Sequence, residues 1–455
     1  MWGKVLKIRF WSLFLLAIGY FGFVIHSGQA SQVHRQKSSE ENLPKKNLPK
    51  KTLEEAFFAA FTLSETIDIQ KELFLQADEG FSQALGVMLP TVSGSYSFLQ
   101  QAHPLSATGA AISPSVQHTA KIMATQPLFR GMKDFSSLRQ RKFLVGAQIQ
   151  SYYLAARQLF YDLSTAYYNV LSYQSDEQNY EIEIQMNLKR LSELEKFYQI
   201  GRSQWTDVLT FKSNIASLEA QLEVTRGQLS VAKEVLSYLT GWKEEVLLED
   251  DEKSFHKIEN LDFYLSKIED RSEVKLALEN VRANEESSRI ALGQHFPSVD
   301  LVGDYYFTRP GALNNVNWDV QLLLSFPIFQ GGVVQSQVRQ AQSVIRQYDR
   351  LLSQARRSAD QEIRTFYAIC SADLKQQNKL KELVSISKQN EETQIKYYRN
   401  GLVTNLDVLT SITTSQDAKR QKDHQNFMLR LDQVKLEAAT GQRLEAVVTK
   451  PNLSK

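Results

Sequence analysis

This sequence of 455 residues has little cysteine and little histidine: it contains one cysteine, Cys370, and seven histidines. A single cysteine excludes an intrachain disulfide bond and any metal site built from several thiolates. The histidines are never three or four residues apart, the spacings that place two metal ligands on one helix face. Common phosphate-binding, zinc-protease and nucleophile-elbow motifs are absent too. We therefore predict a protein that is not an enzyme and that uses no cofactor and no metal.

An excess of charge of one sign is also lacking, because 53 Lys and Arg oppose 51 Asp and Glu. Nucleic-acid binding requires a concentrated basic face, so this balance argues against a nucleic-acid partner. Proline is scarce: the chain has ten, and none lies in 133–295 or in 328–450. Since an interior proline costs a helix about 3 kcal/mol, these two stretches predict very long helices.

Long apolar runs are absent beyond the first thirty residues. At the start, Lys4, Lys7 and Arg9 precede an apolar run over 10–25, and small residues lead to Ala30. This order is typical of a secretory signal peptide, so we predict residues 1–30 as the signal peptide, with a retained membrane anchor as the alternative. Residues 31–51 have no apolar periodicity and predict a flexible basic linker.

The rest of the chain repeats itself with an offset of 200 residues: Gly201 and Asp207 correspond to Gly401 and Asp407, and 126–131 corresponds to 326–331. Two copies of one plan explain this best. Repeat 1 is predicted over 52–241, with a hairpin at 91–127, a long helix at 133–199 and a return helix at 203–240. Repeat 2 is predicted over 272–441, with a hairpin at 298–327, a long helix at 333–399 and a return helix at 403–440. An inter-repeat linker over 242–271 joins the repeats, and a C-terminal tail over 442–455 follows them.

The four predicted strands alternate apolar and polar residues, most clearly from Trp318 to Phe326. Their length of about 10 residues suits a tilted membrane strand, although a soluble sheet with one wet face would alternate as well. Each long helix would extend roughly 100 Å. The return helix of repeat 1 carries apolar residues in steps of three and four from Val208 to Leu239, which is typical of a coiled-coil seam.

Amphipathic strands can lie in a bilayer only as a closed barrel, because an open sheet edge leaves backbone groups without hydrogen bonds. Four strands cannot close alone, since the smallest common barrels have eight, so several chains must share one wall. Three chains would give twelve strands. We predict a mixed α and β membrane protein: a trimeric 12-stranded outer-membrane β-barrel continued by a long α-helical coiled-coil tunnel.

Three segments and the two Gly…Asp-Val turns resemble the TolC-like outer membrane efflux protein family; the segments are 165–172, 325–332 and 336–342. The resemblance covers about residues 52–445. It implies a homotrimer in the outer membrane with a periplasmic helical domain, a periplasmic adaptor (membrane fusion protein) and an inner-membrane transporter of the RND, MFS or ABC type. The implied function is the exit duct of a tripartite efflux or type I secretion system, which passes small molecules or unfolded proteins. A periplasmic coiled-coil adaptor or scaffold, suggested by the heptad seam, is the alternative.

The family's tip motif also implies site residues. Tyr398 and Asp407 match its tyrosine and first aspartate, while Val403 and Thr410 stand where an arginine and a second aspartate are expected. Asp207 matches the aspartate that bonds across to the tyrosine. The implied sets are Asp407, Asp207, Tyr398 and Thr410 for the periplasmic aperture, and Gly201, Gly401, Arg202 and Val403 for the tip turns that dock the adaptor.

Several of these residues have a second interpretation. Asp207 and Asp407 also suit the first turn of a helix, where the helix dipole favours a negative charge. Arg202 and Arg399 are the candidates to replace the missing arginine. The predicted barrel-to-helix turns contain Pro127, Gly131, Pro327 and Gly331.

Overall fold

The structure, a computed structural model, describes residues 50–102, 114–243, 246–250 and 258–441. The predicted signal peptide, residues 31–49 of the predicted linker and the C-terminal tail lie outside the described residues. The elements, in chain order, are β1 (Lys50–Lys51), α1 (Leu53–Leu63), α2 (Glu65–Gly86), β2 (Thr91–Gln100), β3 (Val116–Arg130), α3 (Lys133–Gln199), α4 (Trp205–Thr240), β4 (Leu247–Leu248), α5 (Leu261–Leu265), α6 (Ser272–Gly293), β5 (Ser298–Thr308), β6 (Trp318–Ser325), α7 (Val333–Arg399) and α8 (Asn405–Ala439).

The two longest helices, α3 and α7, contain 67 residues each and so extend roughly 100 Å. The return helices α4 and α8 begin two residues later than the sequence predicted, at Trp205 and Asn405 instead of at 203 and 403. In each case a capping box sets the start, because the preceding residue and an aspartate at the third helical position bond to each other's backbone N–H. Within the described residues, no helix is both long and apolar enough to cross a bilayer.

The four long strands form one antiparallel sheet in the order β2-β3-β5-β6, so each repeat contributes one hairpin. The edge strands are β2 from repeat 1 and β6 from repeat 2. One face of the sheet is apolar and exposed, and its largest side chains are Leu301, Tyr305, Phe307, Trp318, Val320, Leu322 and Leu324. The opposite face carries the polar positions of the same strands, such as Asp304 and Asp319, which pair across β5 and β6.

Strand β3 corrects one prediction. It continues to Arg130, so Pro127 lies inside the strand and not in the turn after it. A register shift between Pro127 and Phe129 accommodates the proline, which cannot donate a ladder hydrogen bond. The turn follows at Gly131, whose φ is 65°. In repeat 2 the strand ends at Ser325, and Pro327 and Gly331 do lie between β6 and α7.

Both predicted linkers contain regular structure at their described ends, which is a second correction. Lys50 and Lys51 pair in parallel with Leu247 and Leu248. The hydroxyl of Tyr167 in α3 lies 2.8 Å from the carbonyl oxygen of Lys51 and 2.7 Å from that of Glu249. The inter-repeat segment also forms α5. Backbone pairing and one buried tyrosine thus attach these segments to the long helices.

The helices pack through an apolar seam between α3 and α4. The buried side chains of α4 are Val208, Phe211, Ile215, Leu218, Leu222, Thr225, Leu229, Ala232, Leu236 and Thr240. Cys370 lies in a separate cluster with Tyr264, Ile363 and Leu436. The cysteine is fully buried, and burial raises the pKa of its thiol to about 12. It is a packing residue.

Candidate functional site

The two ends of the long helices form matching turns at the tip of the molecule. Gly201 has a φ of 71° and Gly401 a φ of 76°, values that favour glycine. The N–H of Arg202 donates to the carbonyl oxygen of Phe197 at 2.8 Å, and that of Leu402 to Tyr397 at 2.9 Å. These bonds close the ends of α3 and α7 in the way typical of glycine-terminated helices. Both glycines are required by the turn geometry.

Each turn leads into a capping box built on an aspartate. The Oδ2 atom of Asp407 accepts from the N–H of Thr404 at 2.8 Å and from its hydroxyl at 2.6 Å. The Oδ2 atom of Asp207 accepts from the hydroxyl of Ser203 at 2.9 Å and from the N–H of Gln204 at 3.2 Å. The hydrogen bonds that Asp407 accepts from Thr404 hold the pKa of Asp407 below its ordinary value. Both aspartates therefore fix the start of a helix.

Tyr398 lies below the guanidinium group of Arg190, which is 4.5 Å from the ring centroid. The ring packs on a cluster from three helices that contains Leu194, Val208, Phe211 and Leu409. Tyr398 thus joins α7 of repeat 2 to α3 of repeat 1. The resemblance implied a bond between Asp207 and Tyr398, but the side-chain hydrogen bonds that the described residues give Asp207 stay within its own turn.

Arg190 is the residue that sequence reasoning missed at this place. It is buried, its Nη1 lies 2.7 Å from Glu193, and its Nε and Nη2 have no partner among the described residues. Arg202 and Arg399, the two predicted replacements, are exposed. The available signal was the position of Arg190, four residues before the fully buried Leu194 on the same helix face.

Three large apolar side chains are exposed at the tip, beside exposed polar ones such as Arg202 and Arg399. Ile200, Leu402 and Leu406 are 65%, 67% and 62% exposed. Val403 is half-buried, and the exposed Thr410 donates its hydroxyl to the carbonyl oxygen of Leu406 at 2.9 Å. The predicted tip residues are therefore brought to one end of the molecule, in two turns of the same construction.

At the end of the sheet far from the helices, five residues form a charged group on the polar face, which we name the outer charged layer: Lys121, Asp304, Tyr306, Arg309 and Asp319. The Nζ atom of Lys121 lies 2.9 Å from Asp304, and Arg309 lies 3.1 Å from Asp319. A second ion pair, Arg130 with Asp300 at 2.9 Å, lies at the end of the sheet near the helices. The sequence alternation predicted the polar face but not these pairs.

Comparison with known proteins shows similarity to outer membrane efflux proteins. Residues 267–442 match the family model for outer membrane efflux proteins. Outer membrane protein TolC of Escherichia coli K12 is 24% identical over 344 residues, which are 71% of this chain and 69% of that protein. Outer membrane protein TolC of Salmonella enteritidis is also 24% identical, over 346 residues.

Solved structures have the same fold. CusC is matched with a TM-score of 0.75 and 15% identity over 85% of this chain and 91% of that chain. VceC of Vibrio cholerae is matched with a TM-score of 0.73 and 18% identity over 86% and 96%. The chain thus has the fold of these solved membrane proteins. The chain is therefore similar to TolC-like outer membrane efflux proteins, which confirms the resemblance and the predicted outer-membrane location with a periplasmic helical domain.

Proposed function

We propose that three copies of this chain form the exit duct of a tripartite efflux or type I secretion system. The observation that carries this proposal is the four-stranded sheet, which has two open edges, β2 and β6, and an exposed apolar face. Open edges have unpaired backbone groups, which lipid does not tolerate. Three sheets joined from β6 to β2 give twelve strands and a barrel with a polar interior.

The helices support the same arrangement. Helix α4 belongs to repeat 1, as does edge strand β2, and its exposed apolar side chains include Leu209, Val224, Val231, Val235 and Tyr238. Helix α7 belongs to repeat 2, as does β6, and its exposed apolar side chains include Ile369, Leu383 and Ile386. Each copy thus offers one surface of each kind, the requirement for a closed head-to-tail ring.

The tip is the proposed docking surface for a periplasmic adaptor. Its exposed Ile200, Leu402 and Leu406 form an apolar end that a partner can cover. Around a threefold axis, three copies of the exposed Asp407 would form a carboxylate ring at the aperture, in addition to capping α8. An inner-membrane transporter would supply the energy, because a duct performs no chemistry of its own.

The first experiment measures mass and conductance. The mature chain, purified in detergent, should have the mass of a trimer and should conduct ions in a planar lipid bilayer. A monomer that is soluble without detergent and does not conduct would refute the duct and support the periplasmic scaffold.

A matched pair of variants tests the membrane face of the sheet. Leu322 and Gln321 are neighbours in β6 and point to opposite faces. Leu322→Arg should reduce the yield of assembled trimer, since an arginine on the lipid face costs about 2–4 kcal/mol at mid-bilayer. Gln321→Arg should assemble normally. Equal yields would contradict the assignment of the faces.

A further inference from the structure

The polar face of the sheet is uncharged over most of its area. The positions that share this face in β2, β3 and β6 are mainly hydroxyl and amide side chains: Ser93, Ser95, Ser97, Thr119, Thr125, Gln321 and Ser325. In the proposed barrel this face lines the lumen. Among the described residues of this face, charge is confined to the outer charged layer and to the pair of Arg130 with Asp300 near the helices. Permeating solutes would therefore meet fixed charge at only two levels of the barrel.

The outer charged layer is built around two facing acids. Asp304 and Asp319 are direct partners across β5 and β6, and like charges in that position repel each other. Lys121 and Arg309 each bind one of the two carboxylates. Asp304 is 7% exposed, and the Oδ1 atoms of both acids have no partner among the described residues. Among the described residues, the two acids are thus compensated by two cations, and the layer has no net charge.

Tyr306 holds these cations in place. The guanidinium group of Arg309 lies 4.1 Å from the ring centroid of Tyr306, and the Nζ atom of Lys121 lies 5.7 Å from it. The tyrosine hydroxyl donates to Asp304 at 3.3 Å. Cation–π contacts of this kind restrain long side chains that would otherwise move freely. Tyr306 is a positioning residue: it contacts the charged groups and carries no charge.

We propose that the outer charged layer sets the charge selectivity of the barrel part of the duct, and that its balance of two acids against two cations lets solutes of either charge leave through the barrel. The inference rests on the proposed function, since it requires the polar face to line a lumen. Its cargo class is correspondingly broad: organic cations, anions and zwitterions would pass this level of the barrel without a preference for one sign of charge.

The size of the effect follows from the number of charges. Lys121→Gln with Arg309→Gln changes the layer by −2 in each chain, and by −6 in a trimer. Salt screens the effect of the added charge on permeating ions, because the Debye length falls from about 10 Å at 0.1 M salt to about 3 Å at 1 M. We expect the K⁺/Cl⁻ permeability ratio to rise about threefold or more at 0.1 M KCl and clearly less at 1 M.

The experiment measures reversal potentials of single channels in planar bilayers under a KCl gradient. Lys121→Gln with Arg309→Gln should raise the K⁺/Cl⁻ ratio, and Asp304→Asn with Asp319→Asn should lower it. Tyr306→Leu should broaden the range of ratios between channels without a change of charge. Lys379→Gln, on an 82% exposed side chain of α7, is the matched control and should leave the ratio unchanged.

Two failures are distinguishable. If wild-type protein does not conduct, the proposed duct is refuted. If it conducts but the two double variants shift the ratio in the same direction, or leave it unchanged, the role of the layer is refuted. If a double variant fails to assemble, the single variants replace it: Lys121→Gln should raise the K⁺/Cl⁻ ratio, and Asp319→Asn should lower it.

Discussion

Replacing Asp432 by Asn should stabilise the protein at neutral and alkaline pH. Asp432 in α8 is 9% exposed and lies against Asp373 of α7, whose carboxylate also accepts from Gln425 at 2.9 Å. Burial, followed by the hydrogen bond with Asp373, raises the pKa of Asp432 from 3.8 to about 6. Lys435 opposes this shift without cancelling it. Asp432 is therefore costly to ionise in the folded state.

The sign of the pH dependence follows directly. Because the folded protein holds this proton more tightly than the unfolded chain, the stabilisation is complete below about pH 4 and is lost as the pH rises through about 6. A shift of about 2 pKa units corresponds to at most about 3 kcal/mol. Asparagine keeps the shape and cannot ionise, so we expect a gain of about 1–3 kcal/mol at pH 8 and almost none at pH 4.

The assay is thermal unfolding of the detergent-solubilised protein, followed by circular dichroism at both pH values. Asp432→Asn should raise the Tm at pH 8 by a few degrees and leave it unchanged at pH 4. Asp360→Asn is the control, since Asp360 is 40% exposed and bonds to Arg364 on the surface of α7. A loss of stability at pH 8, or the same shift at both pH values, would refute the reasoning.

Two further predictions concern the tip, and both are read from the same unfolding assay. Tyr398→Ala should lower stability by about 1–2 kcal/mol, because it removes the ring below Arg190, whereas Tyr397→Ala, on a ring that is 46% exposed, should have a smaller effect. Thr404→Ala should cost about 1 kcal/mol by removing the capping box of α8, and Thr410→Ala should be close to neutral. Reversed order within either pair would contradict these assignments.

The long helices could be predicted because their signal is local and continuous. Each lacks proline over its whole length, and the observed α3 and α7 occupy the residues that the sequence predicted. The buried face of α4 was likewise readable, since its apolar residues recur at heptad spacing. The sequence singles out Asp207 and Asp407 but does not predict their capping boxes, because it does not distinguish an aperture residue from a first-turn residue.

Contacts between distant segments could not be predicted in this way. The pairing of β1 with β4 joins two dipeptides that are almost 200 residues apart, and neither carries a strand pattern of its own. The extension of β3 past Pro127 depends on a bulge against β5, a strand of the other repeat. The contact of Arg190 with Tyr398 joins α3 of repeat 1 to α7 of repeat 2. In each case the partner that decides the outcome belongs to the other end of the chain.

The two repeats are joined differently from the helices within repeat 1. Where α3 meets α4 the seam is apolar, but where α3 meets α8 buried polar contacts accompany the apolar ones: Glu183 pairs with Arg420, Asn179 donates to Asp423 at 3.2 Å, and Ser172 bonds to His424 at 3.0 Å. Burial raises the pKa of Glu183, and Arg420 opposes that shift.

Buried ion pairs add little net stability, because the loss of hydration offsets their attraction, yet removing one partner is expensive. The polar contacts between α3 and α8 therefore act mainly on register. A displacement of one helix along the other would leave the fully buried Glu183 without its cation, whereas an apolar seam would tolerate it. In the register that places Glu183 beside Arg420, Arg190 also lies over Tyr398. The polar contacts that align the two repeats therefore also determine the geometry of the tip.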